Sequence, residues 1–333
     1  MGKQRVPNLP SLLQRKIYKT GQTRGADDDV IYQNRVSRSS TVLIPYAYWD
    51  SCAPARIPES RYENGFIVLL SPEEYFDSAN ISVDLAKNGL GIGSNALVFF
   101  ETREQWNANN PDKLKWRPAR RRTKPLGGQY VARIPATTAA QSGERIIRGF
   151  NETSAKGAGI RVYEYANTTT TERCRLQLET LFWLCSDSQE VAISNGMTAG
   201  DAATRKKAIL ETCERQRLLN TSELVYARVL NAHGTTICPL CLEELSGQGF
   251  FNRMEQAEGR AVPDLTVTEL NLFHIVELRI GALNHRPYNV GWGHHHCNVV
   301  VRDAGIRETI EWMRDILHRN VVEGRMPAEN RDS

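Results

Sequence analysis

Short runs of β-branched and aromatic residues, separated by clusters of Pro, Gly, Asn and Ser, mark the first half of the chain. They lie at 41–49, 65–70, 96–100 and 159–165, and their length and composition favour buried β-strands. Between the second and third runs, the sequence SPEE at 71–74 presents a cap, a first-turn proline and two acids, in the order expected where a helix begins. Strands interleaved with short helices predict a mixed α/β domain.

Apolar residues recur at helical spacing in the second half. The segments 171–186 and 201–220 each predict a helix, the second with Asp201 as its cap, and 221–230 continues or restarts it. A further helix from about 302 to 320 is predicted by a stripe of apolar residues, which are Ile306, Ile310, Met313, Ile316 and Leu317.

The order of these elements predicts an α+β fold with three parts. Residues 1–40 are polar and basic, and we expect an extended or partly ordered arm there, with a solvated tail as the alternative. Residues 41–198 form the mixed α/β domain, with a soft boundary near Ser194-Asn195-Gly196. Residues 199–333 hold a helical connector and a C-terminal module with its core at 235–320.

Composition is that of a folded globular protein. The chain has 333 residues, of which 41% are hydrophobic and 24% charged, and its net charge is +4. No apolar run reaches the length of a membrane span or a signal peptide, so we expect no membrane partner and no export. Four scattered cysteines lie in apolar contexts typical of reduced, buried thiols, which favours the cytoplasm: Cys52, Cys174, Cys185 and Cys213.

A strongly basic segment lies in the middle of the mixed domain. Residues 113–124 contain seven basic side chains, one Trp and no acid, and the prolines at 118 and 125 argue against a regular helix. Such a loop could neutralise phosphates and stack on a base or sugar, although a merely solvated loop is the alternative. The candidate nucleic-acid-binding residues are Lys113, Lys115, Trp116, Arg117, Arg120, Arg121, Arg122 and Lys124.

Cysteine and histidine concentrate near the C-terminus. Five of the seven histidines fall within 274–298, and the sequence CPLC at 238–241 precedes them. The pair Cys238 and Cys241 has zinc-knuckle spacing, and His294 and Cys297 repeat that spacing. This CxxC…HxxC set predicts one structural Zn²⁺, with His295 or His296 as alternatives to His294 for one ligand.

These residues resemble the HNH nuclease family, the ββα-metal fold in its zinc-ribbon version. The pattern is a CxxC pair, then His274, then Asn289, then a second knuckle that ends in Cys297-Asn298. The resemblance covers roughly 235–320 and implies phosphodiester hydrolysis.

The resemblance also implies a role for each residue. His274 would take a proton from the attacking water, Asn289 would hold the loop and through it the imidazole, and Asn298 would bind a catalytic Mg²⁺, with Mn²⁺ as an alternative. Arg279 and Arg286 are candidate phosphate contacts, with solvated surface as the alternative.

One position departs from the family pattern. Many members have Asp immediately before the first His, and this chain has Phe273 there. Either Glu277 or Glu269 supplies the carboxylate, or the cation is bound through Asn298 and phosphate alone. Glu277 is the weaker candidate, because it lies three residues along a strand and points away from His274.

Size and architecture make a bacterial type II restriction endonuclease the leading hypothesis, with 41–198 as the DNA-recognition domain. Its partners would be double-stranded DNA, a second copy in a homodimer and a cognate DNA methyltransferase of the same system. The alternatives are a modification-dependent or homing endonuclease and a zinc-stabilised DNA-binding protein that does not cleave.

Overall fold

The computed structural model describes residues 6–18, 37–52, 61–134, 146, 148–150, 159–253, 268–301 and 304–326. Its helices are α1 (Ser11–Tyr18), α2 (Trp49–Cys52), α3 (Pro72–Phe76), α4 (Ile81–Lys87), α5 (Arg103–Ala108), α6 (Thr168–Trp183), α7 (Ser188–Ser194), α8 (Ala199–Arg215), α9 (Thr221–Tyr226), α10 (His295–Val301) and α11 (Ile306–Val322). Its strands are β1 (Val42–Pro45), β2 (Phe66–Leu70), β3 (Ala96–Phe100), β4 (Tyr130–Ala132), β5 (Ile160–Arg161), β6 (Leu270–His274) and β7 (Val290–His294). Short 3-10 helices lie at Tyr46–Tyr48, Val162–Glu164 and Gly247–Phe250.

The chain divides into two compact units. The sheet unit consists of Gly21–Thr171 and Arg279–Leu283, and the hairpin unit consists of Met1–Thr20, Glu172–Leu278 and Asn284–Ser333. These contacts place the division at residue 171, whereas the sequence suggests a soft boundary near 198. The mixture of helices and strands agrees with the expected α+β class.

The sheet unit is built on five parallel strands in the order β4-β3-β2-β1-β5. The central strands β2 and β3 read FIVLL and ALVFF and are almost wholly buried, as expected for a parallel sheet covered on both faces. All four predicted strand runs contribute to this sheet. The strand β4 was not predicted, because its three residues are too short to give a periodic pattern.

Two of the predicted strands are shorter than their apolar runs. The run at 41–49 leaves the sheet after Pro45 and continues as a 3-10 turn and α2, where Trp49 is buried by side-chain packing instead. The run at 159–165 likewise turns into a 3-10 helix after Arg161. Trp49 and Val162 are buried beyond the ends of these strands although neither lies in the sheet, so tertiary contacts decide the backbone conformation there.

The predicted helix start at SPEE is present as a reciprocal capping box. The Ser71 hydroxyl accepts from the backbone N–H of Glu74 at 3.1 Å, and the Glu74 carboxylate accepts from the backbone N–H of Ser71 at 2.7 Å. Thr102 and Gln105 form a second capping box at the start of α5. These pairs fix where the helices that follow β2 and β3 begin.

The hairpin unit packs the antiparallel pair β6 and β7 against α6. The Trp292 side chain on β7 is buried, and its indole N–H donates to the carbonyl oxygen of Leu178 at 2.7 Å. Gln177 accepts from the backbone N–H of Tyr288 at 2.7 Å, which holds the chain just before β7. Helix α6 therefore fixes the position of the hairpin that carries most of the candidate site residues.

Part of the predicted N-terminal arm is a helix of the hairpin unit. Leu13 and Ile17 of α1 are buried in the core of this unit, and the Lys16 ammonium donates to the carbonyl oxygen of Leu270 at the start of β6. The stretch 19–36 of the arm lies outside the described residues. The sequence did not predict α1, because the arm is mostly polar and only two apolar residues of this helix enter the core.

The connector helices begin and end at other residues than expected. Helix α8 is capped by Thr198, whose side chain accepts from the N–H of Asp201, so Asp201 lies in the first turn and is not the cap. The helix ends at Arg215, and Asn220 caps a separate helix, α9. A helix predicted from about 302 begins at Ile306 after Gly305, whose φ of 85° lies in the left-handed region that glycine adopts readily.

The four scattered cysteines are free and buried, as their apolar contexts predict. Among the described residues, no helix combines the length and the apolar character that a bilayer crossing requires.

Candidate functional site

The β6–β7 hairpin carries chemically active side chains at both ends. In its register Leu270 pairs with His294 and His274 pairs with Val290, so the two histidines lie at opposite ends of the hairpin. At about 3.4 Å per residue they are about 14 Å apart along the strands. Helix α10 follows β7 directly and packs against both strands, and α11 packs on α10.

Four ligand-type atoms meet at the His294 end of the hairpin. The Sγ atoms of Cys238, Cys241 and Cys297 and a ring nitrogen of His294 all lie within 4.8 Å of one another. The Cys241 Sγ and the His294 Nδ1 are 3.3 Å apart. Ligands around a tetrahedral Zn²⁺ lie about 3.5–3.8 Å from one another, since the bonds are about 2.0–2.3 Å long. The donor set and its spacing therefore fit a closed zinc site.

The CPLC turn is held by its neighbours in the fold. The Cys238 N–H donates to the Glu243 carbonyl oxygen at 2.8 Å, and Leu242 closes the turn with a φ of 64°. The Arg228 side chain donates to the carbonyl oxygen of Pro239 at 2.8 Å. Sequence spacing identified the cysteines, but it gave no signal for Arg228, which acts from outside the motif.

The electrostatics of this cluster favour a bound cation. Burial, followed by the proximity of Cys238 and Cys241, raises the pKa of Cys297 far above that of a free thiol. Burial is also the largest cause of the raised pKa of Cys241. Burial lowers the pKa of His294, which keeps its ring neutral and able to donate a lone pair. Three crowded thiols can all ionise only when positive charge is placed among them.

The three consecutive histidines have different neighbours. His294 alone of the three belongs to the cluster. The His295 Nδ1 faces the Asn271 amide at 2.9 Å, and the exposed His296 ring stacks on His294 with centroids 5.4 Å apart. The fold therefore brings His294, and neither His295 nor His296, next to the three cysteines.

His274 lies at the other end, in contact with a second histidine. Its Nε2 is 3.0 Å from the Nδ1 of His285, and the two rings meet edge to face at 5.3 Å between centroids. His274 is half-buried, whereas His285 is fully buried. No motif or periodicity predicts this contact, because His285 lies in the irregular segment between the strands.

Asn289 fastens the chain that follows His274. Its Oδ1 accepts from the Val276 N–H at 2.7 Å, and its Nδ2 donates to the carbonyl oxygens of Val276 at 3.0 Å and of Asn284 at 2.7 Å. The backbone carbonyl of Asn289 also accepts from the Ile275 N–H at 3.2 Å. One buried amide thus ties the end of β6 to the segment that carries His285.

Phe273 occupies the position where the family pattern has a carboxylate, and it faces the core. Its side chain is fully buried and lies against Gly293, where an added Cβ would come within 2.6 Å of the ring. Glu269 lies at the zinc end of the hairpin, where its carbonyl accepts from the His295 N–H at 2.7 Å. Glu277 is half-buried, and its carbonyl accepts from Asn284 at 2.6 Å.

The remaining candidates of the hairpin region lie on three different segments. Asn298 is half-buried on α10, immediately after Cys297. Arg286 is exposed and follows His285. Arg279 is also exposed and belongs to the short segment Arg279–Leu283 of the sheet unit. Within the described residues, the Cys/His cluster is the single group of three or more metal-ligand side chains.

The basic loop is irregular and forms a closed tip on the sheet unit. The N–H groups of Arg120 and Arg121 both donate to the Leu126 carbonyl oxygen, at 3.0 and 2.9 Å, which closes the loop. Arg122 is half-buried, and burial lowers the pKa of its guanidinium. Trp116 packs on Phe76 with ring centroids 5.5 Å apart. The exposed basic side chains are Lys113, Lys115, Arg117, Arg120, Arg121 and Lys124.

A cavity of about 390 Å³ lies beyond the carboxyl end of β1 in the sheet unit. Its lining includes Tyr46 and the carboxylates of Asp50, Glu74 and Asp84. Because these acids repel phosphate, the cavity does not suit a phosphate ligand.

Comparison with known proteins identified one family. A family model described as BstXI restriction endonuclease matches residues 15–295. Neither the curated proteins nor the solved structures gave a significant match.

Proposed function

This chain belongs to the BstXI restriction endonuclease family, and on that premise we propose that it is a site-specific endonuclease that hydrolyses phosphodiester bonds in double-stranded DNA. The observation that carries the proposal is the family match, which spans both units and includes His274 and Asn289. Family membership supports endonuclease chemistry, and the residues of the hairpin suggest how it is performed.

The hydrolytic site that we propose is of the HNH type. An antiparallel hairpin followed by a helix packed on it is the arrangement that the resemblance implies, and His274 lies at the end of the first strand. A neutral imidazole can accept the proton of an attacking water at working pH. Asn289 has a positioning role, because all three bonds of its amide go to backbone groups near His274.

Zinc is proposed as the structural metal. Cys238, Cys241, His294 and Cys297 would hold it, because their four donor atoms form a compact Cys₃His set. The ion would join the CPLC turn to the start of α10 and so fix the helix on which Asn298 lies.

A catalytic Mg²⁺, or Mn²⁺ in its place, is proposed to be held by Asn298 and by the DNA phosphate. This role for Asn298 is what the resemblance implies, and Phe273, which faces the core, leaves no carboxylate immediately before His274. When bound, such a cation stabilises negative charge that develops at the scissile phosphate. A single protein ligand predicts weak binding of the cation in the absence of DNA.

The basic loop is proposed to contact the DNA backbone. Its exposed arginine and lysine side chains carry no sequence information, but they can neutralise phosphates and orient the duplex. Trp116 packs on Phe76 and so supports the loop. It is also proposed as a contact to a base.

An enzyme that cuts both strands of a duplex at one position uses two hydrolytic sites. Each chain supplies one proposed site, so we propose a homodimer. Helix α11 supports this proposal, since Ile310 and Leu317 are 40% and 48% exposed and lie on the same apolar stripe as Met313. A cognate DNA methyltransferase is the further partner proposed for a restriction enzyme. Analytical ultracentrifugation of the protein with and without DNA tests the dimer.

Cleavage of DNA tests the proposed function directly. The protein is incubated with Mg²⁺ and with unmodified and methylated plasmid and phage DNA, and discrete fragments from unmodified DNA are the expected result. Cleavage of methylated DNA alone would support a modification-dependent enzyme. Binding without cleavage under all conditions would support the non-cleaving alternative, which the absence of a carboxylate at position 273 favours.

The matched variants are His274→Ala and His318→Ala. The first removes the proposed base and should slow cleavage by about 10²–10⁴-fold with DNA binding retained. The second removes an exposed histidine of α11 and should cut like the wild type. If His274→Ala cleaved DNA at the wild-type rate, His274 would not be the general base.

A further inference from the structure

His285 is a buried histidine for which neither the sequence pattern nor the family match assigns a role. It is fully buried in the hairpin unit, and its Nδ1 lies 3.0 Å from the Nε2 of His274. The chain on both sides of it is fixed, because the Asn289 amide donates to the carbonyl oxygen of Asn284 at 2.7 Å. On the C-terminal side, the backbone N–H of Asn289 donates to the carbonyl oxygen of Arg286 at 3.1 Å.

A hydrogen bond between two imidazoles requires that one nitrogen carry the proton and the other offer a lone pair. Two arrangements satisfy the 3.0 Å contact: His274 donates from Nε2, or His285 donates from Nδ1. In the second, the lone pair of His274 at Nε2 is directed at His285, and the proton of His274 lies on Nδ1. A neutral His274 in that state has no lone pair for a water.

We propose that His285 is a positioning residue for His274 and that it accepts a hydrogen bond from the His274 Nε2–H. This inference rests on the proposed hydrolytic function. The acceptor holds the neutral ring of His274 in the tautomer that bears its lone pair on Nδ1, the nitrogen that does not face His285. The reactive atom of the base is therefore Nδ1.

The proton balance of the step follows from this arrangement. The proton of the attacking water moves to Nδ1 of His274 as the water oxygen forms the new bond to phosphorus. The bond from phosphorus to the 3′ oxygen breaks, and that oxygen leaves with the electron pair and is protonated by solvent. His274 then carries protons on both nitrogens, and His285 stabilises this cation by accepting from Nε2.

Three substitutions at position 285 separate positioning from packing. The amide of Asn can place an acceptor near the site of Nδ1, the longer amide of Gln places it near the site of Nε2, and Phe fills the space with no acceptor. His285→Asn should therefore cleave at close to the wild-type rate. His285→Gln and His285→Phe should slow single-turnover cleavage by about 10–100-fold, with unchanged affinity for DNA.

The tautomer is measured independently of cleavage by NMR of protein labelled with ¹⁵N-histidine. The expected spectrum has the His274 proton on Nε2 in the wild type and in His285→Asn, and a mixture of tautomers in His285→Phe. A His274 proton on Nδ1 in the wild type, or full cleavage by a folded His285→Phe, would overturn the proposal. Thermal unfolding of each variant shows whether it is folded.

The same experiments distinguish a wrong endonuclease assignment from a wrong positioning role for His285. If wild-type protein cleaves no DNA, the endonuclease assignment fails, and the NMR spectrum still decides whether His285 sets the tautomer of His274. If the wild type cleaves and His274→Ala does not, the variants at 285 test the positioning role alone.

Discussion

The amide of Asn289 makes three hydrogen bonds to backbone groups around the proposed base. Asn289→Ala should lower the free energy of unfolding by about 2–3 kcal/mol, because a partly buried N–H and two partly buried carbonyls lose their partner. Asn289→Asp should destabilise at least as much, because its oxygens oppose the carbonyls of Val276 and Asn284. Urea unfolding measures both effects.

A suitable control for Asn289 is Asn195→Ala in the same unit. The Asn195 amide bonds to the Val191 carbonyl within one helical turn, so its loss should cost less than about 1 kcal/mol. Equal effects of the two alanine variants would show that Asn289 has no special part in holding the hairpin.

Substitution of Phe273 by Asp tests whether a carboxylate at this position, as in many HNH sequences, would bind Mg²⁺ in this chain. Phe273→Asp should lower the free energy of unfolding by more than about 3 kcal/mol, because it removes a buried ring and buries an acid in its place. It should not raise the affinity for Mg²⁺, since the side chain faces the core. Calorimetric titration with Mg²⁺ and urea unfolding provide the measurements.

Phe273→Leu is the matched variant, and it should cost less than about 1.5 kcal/mol because it keeps an apolar side chain there. A stable Phe273→Asp protein with tighter Mg²⁺ binding would contradict the orientation of this residue.

At the scale of single residues, the sequence predicts those whose chemistry depends on spacing along the chain. The two members of each knuckle pair are three positions apart in the sequence, and this repeated spacing predicts that both pairs bind one ion. The pairing of His274 with His285 depends on the path of an irregular segment, and no period or motif encodes that path. Arg228 was missed for the same reason, since it supports the CPLC turn through backbone carbonyls.

Among the structural elements, the CPLC turn and the β7–α10 junction depend on each other through the proposed zinc. We expect about one zinc per chain by elemental analysis. Chelation should remove hydrogen-exchange protection from 236–245 and 290–301 and leave β2 and β3 protected, because the ligands belong to the hairpin unit alone.

Cysteine variants provide the control for this experiment. Cys297→Ser should lose the zinc, whereas Cys213→Ser should keep it, because Cys213 is a buried thiol of the same unit outside the cluster. Full zinc content in Cys297→Ser, or protection unchanged by chelation, would rule out this metal site.

The elements themselves were predictable where local chemistry decides their ends. The capping box at Ser71 and Glu74 is encoded within four residues, and the structure has it. The ends of β1 and β5 were not predictable, because apolar residues beyond them are buried from turns instead of strands. The start of α8 at Thr198 shows that sequence alone does not rank two capping-type residues three positions apart, here Thr198 and Asp201.

For the whole molecule, the salt dependence of DNA binding reports how many phosphates are neutralised. Replacing Arg120 and Arg121 by alanine should make the slope of log K against log salt concentration shallower by up to about 1.8, at about 0.9 per lost phosphate contact. Fluorescence anisotropy over a salt series measures this slope.

The double variant Lys206→Ala and Lys207→Ala removes the same charge from adjacent positions of α8 and serves as the control. Identical slopes for the two double variants would show that the basic loop contributes only general charge and is not part of the DNA interface.

The hairpin unit draws its core from distant parts of the chain, with Leu9 and Leu13 packed in one cluster with Trp292 and Ile306. A ribosome releases α1 and the sheet strands β1 to β5 well before β7 is synthesised. We therefore expect the proposed hydrolytic site to assemble only after residue 306 has left the exit tunnel. A nascent or prematurely terminated chain would then be harmless to the chromosome of the cell that makes it.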